Sequence, residues 1–210
     1  MLPFAITNDL TVTNDITISA ETTLRDAGNT IYAAGNIANS GTHESATGGS
    51  IQLNGTGDQV ISGSGAGEFG NLTLNKTAGT TTQSANQSIT GNLRLANTAA
   101  ILDIGSTRLS LSTESNIYDA VAPATTITGF SATRMIQTAG IQSDLGVEKT
   151  YDAIGTTIFP VGVSGKYTPA TVQMYSEPAV WGTFTINPVN TIHPLSTGTN
   201  TLNYYWNVRR

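Results

Sequence analysis

Gly70-Asn71-Leu72-Thr73-Leu74 returns as Gly91-Asn92-Leu93-Arg94-Leu95, and Ile51-Gln52-Leu53 holds the matching place one interval earlier. The steps from Ile51 to Leu72 and from Leu72 to Leu93 are both 21, and the same interval joins Ile16 to Ile37. A fixed return of this kind marks a repeat architecture, in which one short unit cannot bury its apolar side until neighbours stack on it. Further short alternating segments lie between the repeats: Gln59-Val60-Ile61-Ser62, Ser88-Ile89-Thr90, Ile101-Leu102-Asp103-Ile104 and Arg108-Leu109-Ser110-Leu111. Apolar residues at every second position, bounded by Gly, Asn and Ser, describe half-buried strands. Three such strands per repeat predict a parallel β-solenoid whose coils stack about 4.8 Å apart. Ile51, Leu72 and Leu93 then form one inward row, Leu53, Leu74 and Leu95 a second, and Gln52, Thr73 and Arg94 are expected to face out. An antiparallel sandwich also has closely spaced strands, but it gives no reason for one phrase to recur at constant spacing. Between Ile37 and Ile51 the step is 14, which predicts a break of register and a loop.

Composition agrees with a β protein. Of 210 residues, 11% are charged and 38% hydrophobic, so neutral Thr, Asn, Ser and Gly must cover the surface; Thr is β-branched and suits strands. Low net charge, −5, argues for a folded chain, since disorder usually couples low hydrophobicity to high net charge. Nine scattered Lys and Arg form no basic patch of the kind phosphate neutralisation requires, which argues against nucleic acid. The absence of cysteine removes disulfides, thiolate metal sites and thiol nucleophiles. No stretch approaches the roughly 18 apolar residues of a membrane span. Met1-Leu2-Pro3-Phe4-Ala5-Ile6 lacks the basic flank and apolar run of a signal peptide, which leaves a cytosolic protein or an excised fragment; Tyr204-Tyr205-Trp206-Asn207-Val208 reads as a strand under way, which favours the fragment.

The last third reads differently. After Leu111 the pattern loosens, and 115–130 looks like the exit from the regular coils. Beyond residue 155 come Phe159, Tyr167, Tyr175, Trp181, Phe184, Tyr204, Tyr205 and Trp206, with five prolines from Pro160 to Pro194. Strands broken by proline-bearing turns suggest an antiparallel sandwich, with strands expected at 157–159, 171–175, 183–186 and 202–208. The resulting expectation is an all-β chain: a parallel β-helix over 1–128, then a partial, truncated antiparallel β-sandwich over 129–210.

A catalytic β-helix would bring carboxylates or bases together on adjacent coils. At a spacing of 21, Asp9 meets Thr30, Asp15 meets Asn36, Asp26 meets Thr47, Glu44 meets Gly65, Glu68 meets Ile89, and Asp103 meets Thr82. No acid stacks on an acid. His43 and His193, the two imidazoles available as neutral-pH bases or ligands, lie in different regions; His43-Glu44 falls in the expected loop, where a solvated pair is a plainer reading than a metal site. Serines lack a nucleophile-elbow phrase. Gly65-Ala66-Gly67-Glu68-Phe69-Gly70 fits G-x-G-x-x-G, but a strand follows it instead of the required helix, and turns between coils explain the glycines better. No catalytic, cofactor-binding or metal-ligating residue is nominated. Trp181 and Tyr175 remain as candidate ligand contacts, since exposed aromatics stack on sugar rings, against the plainer reading of core burial. Ice binding would need regular hydroxyl rows, and the outward column of Gln52, Thr73 and Arg94 is too mixed to present them.

Two groups of phrases carry a resemblance. Gly55-Thr56-Gly57-Asp58-Gln59-Val60-Ile61-Ser62-Gly63, Phe69-Gly70-Asn71-Leu72-Thr73-Leu74-Asn75-Lys76-Thr77-Ala78-Gly79 and Ile89-Thr90-Gly91-Asn92-Leu93 resemble the giant repetitive, adhesin-like surface proteins of Bacteroidetes. Phe159-Pro160-Val161-Gly162, Tyr167-Thr168-Pro169-Ala170 and Leu202-Asn203-Tyr204-Tyr205-Trp206-Asn207-Val208 look like the segment that follows the repeats in such proteins. The resemblance implies an extracellular, cell-surface β-helix exported by the type IX secretion machinery, serving as a stalk or adhesin with a glycan or other surface ligand as partner. A carbohydrate-binding or polysaccharide-degrading β-helix protein is the alternative.

Overall fold

A computed structural model describes residues 4–210; Met1–Pro3 of the signal-peptide reading lie outside the described residues. Among those residues the chain is all-β, a parallel solenoid of about eight turns with roughly 21 residues per coil. Each turn lays one short strand on each of three sheets, A, B and C. Strand Leu72–Leu74 of sheet B lies parallel between Ser50–Leu53 and Leu93–Leu95, with Leu72 level with Ile51 and Leu93, and Leu74 level with Leu53 and Leu95. Ile16 is likewise level with Ile37 in sheet C. These inward rows belong to one continuous core running from Ile6 to Ile186.

Equal spacing holds only on average. In sheet A, His43 is level with Leu24 on one side and with Phe69 on the other, a short step followed by a long one. The excess residues leave as turns while the strands keep their inward pattern. The step of 14 from Ile37 to Ile51 is no break: Ile37 belongs to sheet C and Ile51 to sheet B, where its true neighbour below is Ile31. The loop expected there is the sheet A strand Thr42–Glu44.

Thr73 and Arg94, expected to face solvent, are covered. They stand on the outer side of sheet B, level with each other and beside half-buried Gln52. The Arg94 guanidinium lies 4.7 Å over the Tyr118 ring and donates to the carbonyls of Ala120 and Ala124. Residues 119–124 thus fold back onto the outside of the sheet.

The corners are closed by side-chain amides and carboxylates that reach one coil onward. Asp9 Oδ1 accepts from Thr30 N at 2.8 Å, Asp15 Oδ1 from Asn36 N at 2.7 Å, and Asn36 Oδ1 from Val60 N at 2.8 Å. Asn71 Oδ1 accepts from Asn92 N at 2.8 Å, and Asn92 Oδ1 in turn from Asn116 N at 3.2 Å. At corners the backbone leaves the sheet ladder, so these bonds give a partner to N–H groups that the ladder does not use. The glycine phrase serves the same packing: a Cβ on Gly67 would collide with the Asn39 carbonyl of the coil below, and Gly65 sits at φ +87°, open to glycine without strain.

The parallel ladders run past residue 128. Ile117–Tyr118 continues sheet B, and after a long excursion Ile136–Thr138 pairs with Leu102–Gly105 in sheet C and Gly146–Thr150 with Arg108–Leu111 in sheet A. Val161–Val163 adds another parallel strand to sheet C. The strands on either side of it pair antiparallel. Thr183–Val189 and Tyr205–Arg209 extend sheet A, while Gly155–Phe159 and Ala170–Met174 form a separate two-stranded sheet. The four strands expected in this region are thus present, two of them in the solenoid's own sheet.

Candidate functional site

Catalysis on a solenoid requires groups from adjacent coils to converge, so the true stacking decides the question. Asp9 over Thr30, Asp15 over Asn36 and Thr82 beside Asp103 stand as the spacing of 21 predicts. Three other neighbours differ because the coils differ in length. Asp26 meets His43, Ser45 and Ala46, not Thr47; Glu44 pairs with Arg25 at 2.6 Å; Glu68 is level with Ser88, not Ile89. None of these pairings sets an acid against an acid, and no group of three metal-ligating side chains occurs among the described residues.

His43 is the largest departure from the sequence reading. It is not a solvated loop residue but a fully buried one, level with Leu24 below and Phe69 above. Its Nε2 lies 3.3 Å from Asp26 Oδ2. Asp26 Oδ1 accepts from the amides of Gly28 and Ala46, both at 2.9 Å. Burial pushes the Asp26 carboxyl up, but the nearby His43 and Ser45 side chains and the Gly28 and Ala46 amides outweigh it and hold its pKa below the ordinary 3.8, although neither His43 nitrogen has a partner in hydrogen-bonding geometry among the described residues. The pair is sealed inside the coil, with no access for a substrate. Glu44, its sequence neighbour, is exposed.

Lys76, in the quoted repeat phrase, is also fully buried. Its Nζ donates to Gly55 O at 2.7 Å, Gly57 O at 2.8 Å and Gln59 Oε1 at 2.8 Å, while Gln59 Nε2 donates to Ala33 O at 3.0 Å. Burial lowers the Lys76 pKa, opposed by Asp58. All three ammonium donors are used, so the amine is not free for chemistry. Lys149 is similar, donating to Ser112 O at 2.6 Å and Thr113 O at 2.7 Å. These cations act as staples between coils.

The aromatic candidates separate. Tyr175 is 83% exposed, just past strand Ala170–Met174. Trp181 is half-buried and lines a cavity of about 100 Å³ with Tyr151, Met174, Val180, Phe184 and Arg210. Tyr175 does not line that cavity, so the two do not form one site. Trp206 donates its indole N–H to Thr168 O at 3.0 Å and shows one side to a more open apolar cavity of about 440 Å³.

A mixed polar and apolar groove lies where the chain leaves the regular coils. Its larger part, about 360 Å³, is formed by Ser115–Tyr118, Thr125, Ile127 and Thr156–Ile158 with Leu111 beneath. A smaller part of about 160 Å³ shares Asn116, Thr156 and Thr157 and extends to Lys149 and Asp152. One wall is fixed by Asp119, whose carboxylate accepts from Thr126 Oγ1 and Gly129 N, and by Arg134, whose Nη1 donates to Asp119 O at 3.0 Å. Sequence reading missed this groove because its two sides come from well-separated segments, 115–127 and 156–158. The one available signal was the cluster of hydroxyl residues on either side of the irregular stretch. No protein-family model, no curated protein and no solved structure matches the chain.

Proposed function

We propose that the chain is a non-catalytic structural or adhesive module of a secreted cell-surface protein, a β-solenoid that spaces a binding tip from the cell or itself presents a binding face. One observation carries this reading: the polar groups with catalytic potential inside the coils, Asp26, His43 and Lys76, are all fully buried and out of a substrate's reach, Asp26 and Lys76 bonded to backbone groups and His43 set 3.3 Å from Asp26. A continuous core of stacked rows gives an axially rigid rod, and a neutral outer surface rich in Thr, Asn and Ser suits a crowded extracellular setting. The resemblance to Bacteroidetes surface proteins supports export by type IX secretion and a location outside the cell.

The same proposal takes residues 129–210 as holding a partial antiparallel sandwich. In its favour, strand Ala170–Met174 and strands Thr183–Val189 and Tyr205–Arg209 line the two sides of the 440 Å³ apolar cavity. A carbohydrate-binding or polysaccharide-degrading protein is the second reading, favoured by the exposure of Tyr175. Beads coated with the chain, assayed for retention on bacterial and host cell surfaces, test the adhesive role, and reducing-sugar release from a polysaccharide panel tests the enzyme. Adhesion without sugar release is expected; sugar release would overturn the non-catalytic reading.

A further inference from the structure

We propose that the groove over Asn116, Thr156 and Thr157 is a binding site for a neutral saccharide, an inference that rests on the adhesive reading and gives it a ligand class. The larger part of the groove is lined by no acid and no base, Tyr118 being its one titratable side chain. Charged ligands therefore find no counter-ion there, and an anionic glycan would be desolvated without compensation. In the smaller part Lys149 is committed to the Ser112 and Thr113 carbonyls, leaving exposed Asp152 at the rim.

What the lining offers is the pair of surfaces that a sugar ring needs. Ile117, Ile127 and Ile158 supply an apolar wall for the C–H face, and Asn116, Thr125 and Thr156 supply donors and acceptors for the ring hydroxyls. Asn116 spends its backbone N–H on Asn92 and one carboxamide hydrogen on Glu114 O at 3.1 Å. Neither bond uses its Oδ1, which has no hydrogen-bond donor among the described residues. The larger part alone lies in the range of about 300–1,000 Å³ typical of small-ligand sites. Because the smaller part shares three of its residues, the groove suits an oligosaccharide over a single ring.

Rigidity favours binding. The 119–130 wall is tied to the solenoid through Arg94 and Arg134 and internally through Asp119, so little ordering entropy is lost when a ligand enters. Loops of variable length set on a rigid scaffold are the usual place for recognition. Here the coil step in sheet B lengthens from 21, Leu72 to Leu93, to 24, Leu93 to Ile117.

An array of neutral oligosaccharides derived from cellulose, mannan, xylan and β-glucan, probed with the whole chain, tests the site. At least one is expected to be retained, and the double variant Asn116→Ala/Thr156→Val is expected to weaken it about tenfold or more, for two lost hydrogen bonds. Both side chains are exposed, so the melting temperature should be unchanged, and Tyr175→Ala should leave retention intact. Three results overturn the proposal: no neutral oligosaccharide retained, retention equal in wild type and double variant, or retention of extended peptides alone. Cell adhesion that persists in the double variant overturns the groove while leaving the adhesive role standing, whereas loss of adhesion by the wild type removes the broader reading itself.

Discussion

The coils from Ile16 to Tyr118 use three sheets, and the part from Ile136 onward continues only two of them, A and C, under different rules. In the first, steps run from 19, Leu24 to His43, to 26, His43 to Phe69, apolar residues lie on apolar ones along sheet B, and many corners are bonded by an Asp or Asn of the preceding coil. In the second, steps of 34 from Leu102 to Ile136 and 38 from Leu111 to Lys149 carry the chain out and back, and pairing then turns antiparallel. Corner side chains thus meet the next coil across steps of 21 to 24 residues. Where the sheet ladder alone guides the chain, insertions are tolerated, and they build the groove.

A charge placed in each region is the severest test of this contrast. Leu72→Asp puts a carboxylate into a fully buried row and should cost roughly 4 kcal/mol or more, read as loss of cooperative thermal unfolding. Leu195→Asp, at a site 84% exposed, should change stability by less than about 0.5 kcal/mol. Equal effects would dissolve the distinction between core row and outer face.

A smaller loss is expected at the staples. Lys76→Met keeps the length of the side chain but leaves the Gly55, Gly57 and Gln59 oxygens without their donor, at a cost of about 2–4 kcal/mol in denaturant unfolding. An unchanged midpoint would show that the ammonium is a passenger.

Asp26 links the regular coils to pH. Its folded-state pKa is depressed, so its contribution is complete above the ordinary value of 3.8 and is lost as pH falls below it. Acid titration of stability should therefore show a downward slope below about pH 4, and Asp26→Asn should flatten part of that slope, the remainder belonging to Asp119, whose carboxyl is likewise held low. A variant with the wild-type slope would remove Asp26 from the account.

The mildest tests separate paired from unpaired polar groups. Asn92→Ala removes one corner bond and should cost about 1 kcal/mol. Tyr151 carries a buried hydroxyl with no hydrogen-bond partner among the described residues; Thr157 lies beside it and offsets part of the rise that burial imposes on its pKa, but not in bonding geometry. Tyr151→Phe should thus be neutral or slightly stabilising in a thermal melt, and a clear loss would show that Thr157 does bond the phenol.

Much of the solenoid was legible because burial imposes a period. Ile51, Leu72 and Leu93 could be placed on one another from spacing alone, and so could Asp9 with Thr30, since a short strand repeated at constant interval has one way to stack its apolar row. His43 was misplaced for the opposite reason. Its coil is short on the side of Leu24 and long on the side of Phe69, and a polar residue in an inward position looks like a loop residue until its partner Asp26 is seen. The candidate groove left only the flanking hydroxyl residues as a sign, because Asn116 and Thr156 meet only after the chain has completed two further sides of the coil.

Alternation repeated at a fixed interval was enough to set the β class, the three-sided stacking and the identity of the inward rows, because each follows from burying one face of a short strand. Folding in three dimensions settled the rest: which coils are short or long, which polar side chains are sealed inside, and where the wall at 119–130 turns back. Those outcomes depend on pairings between residues distant along the chain, whose energies no local pattern encodes.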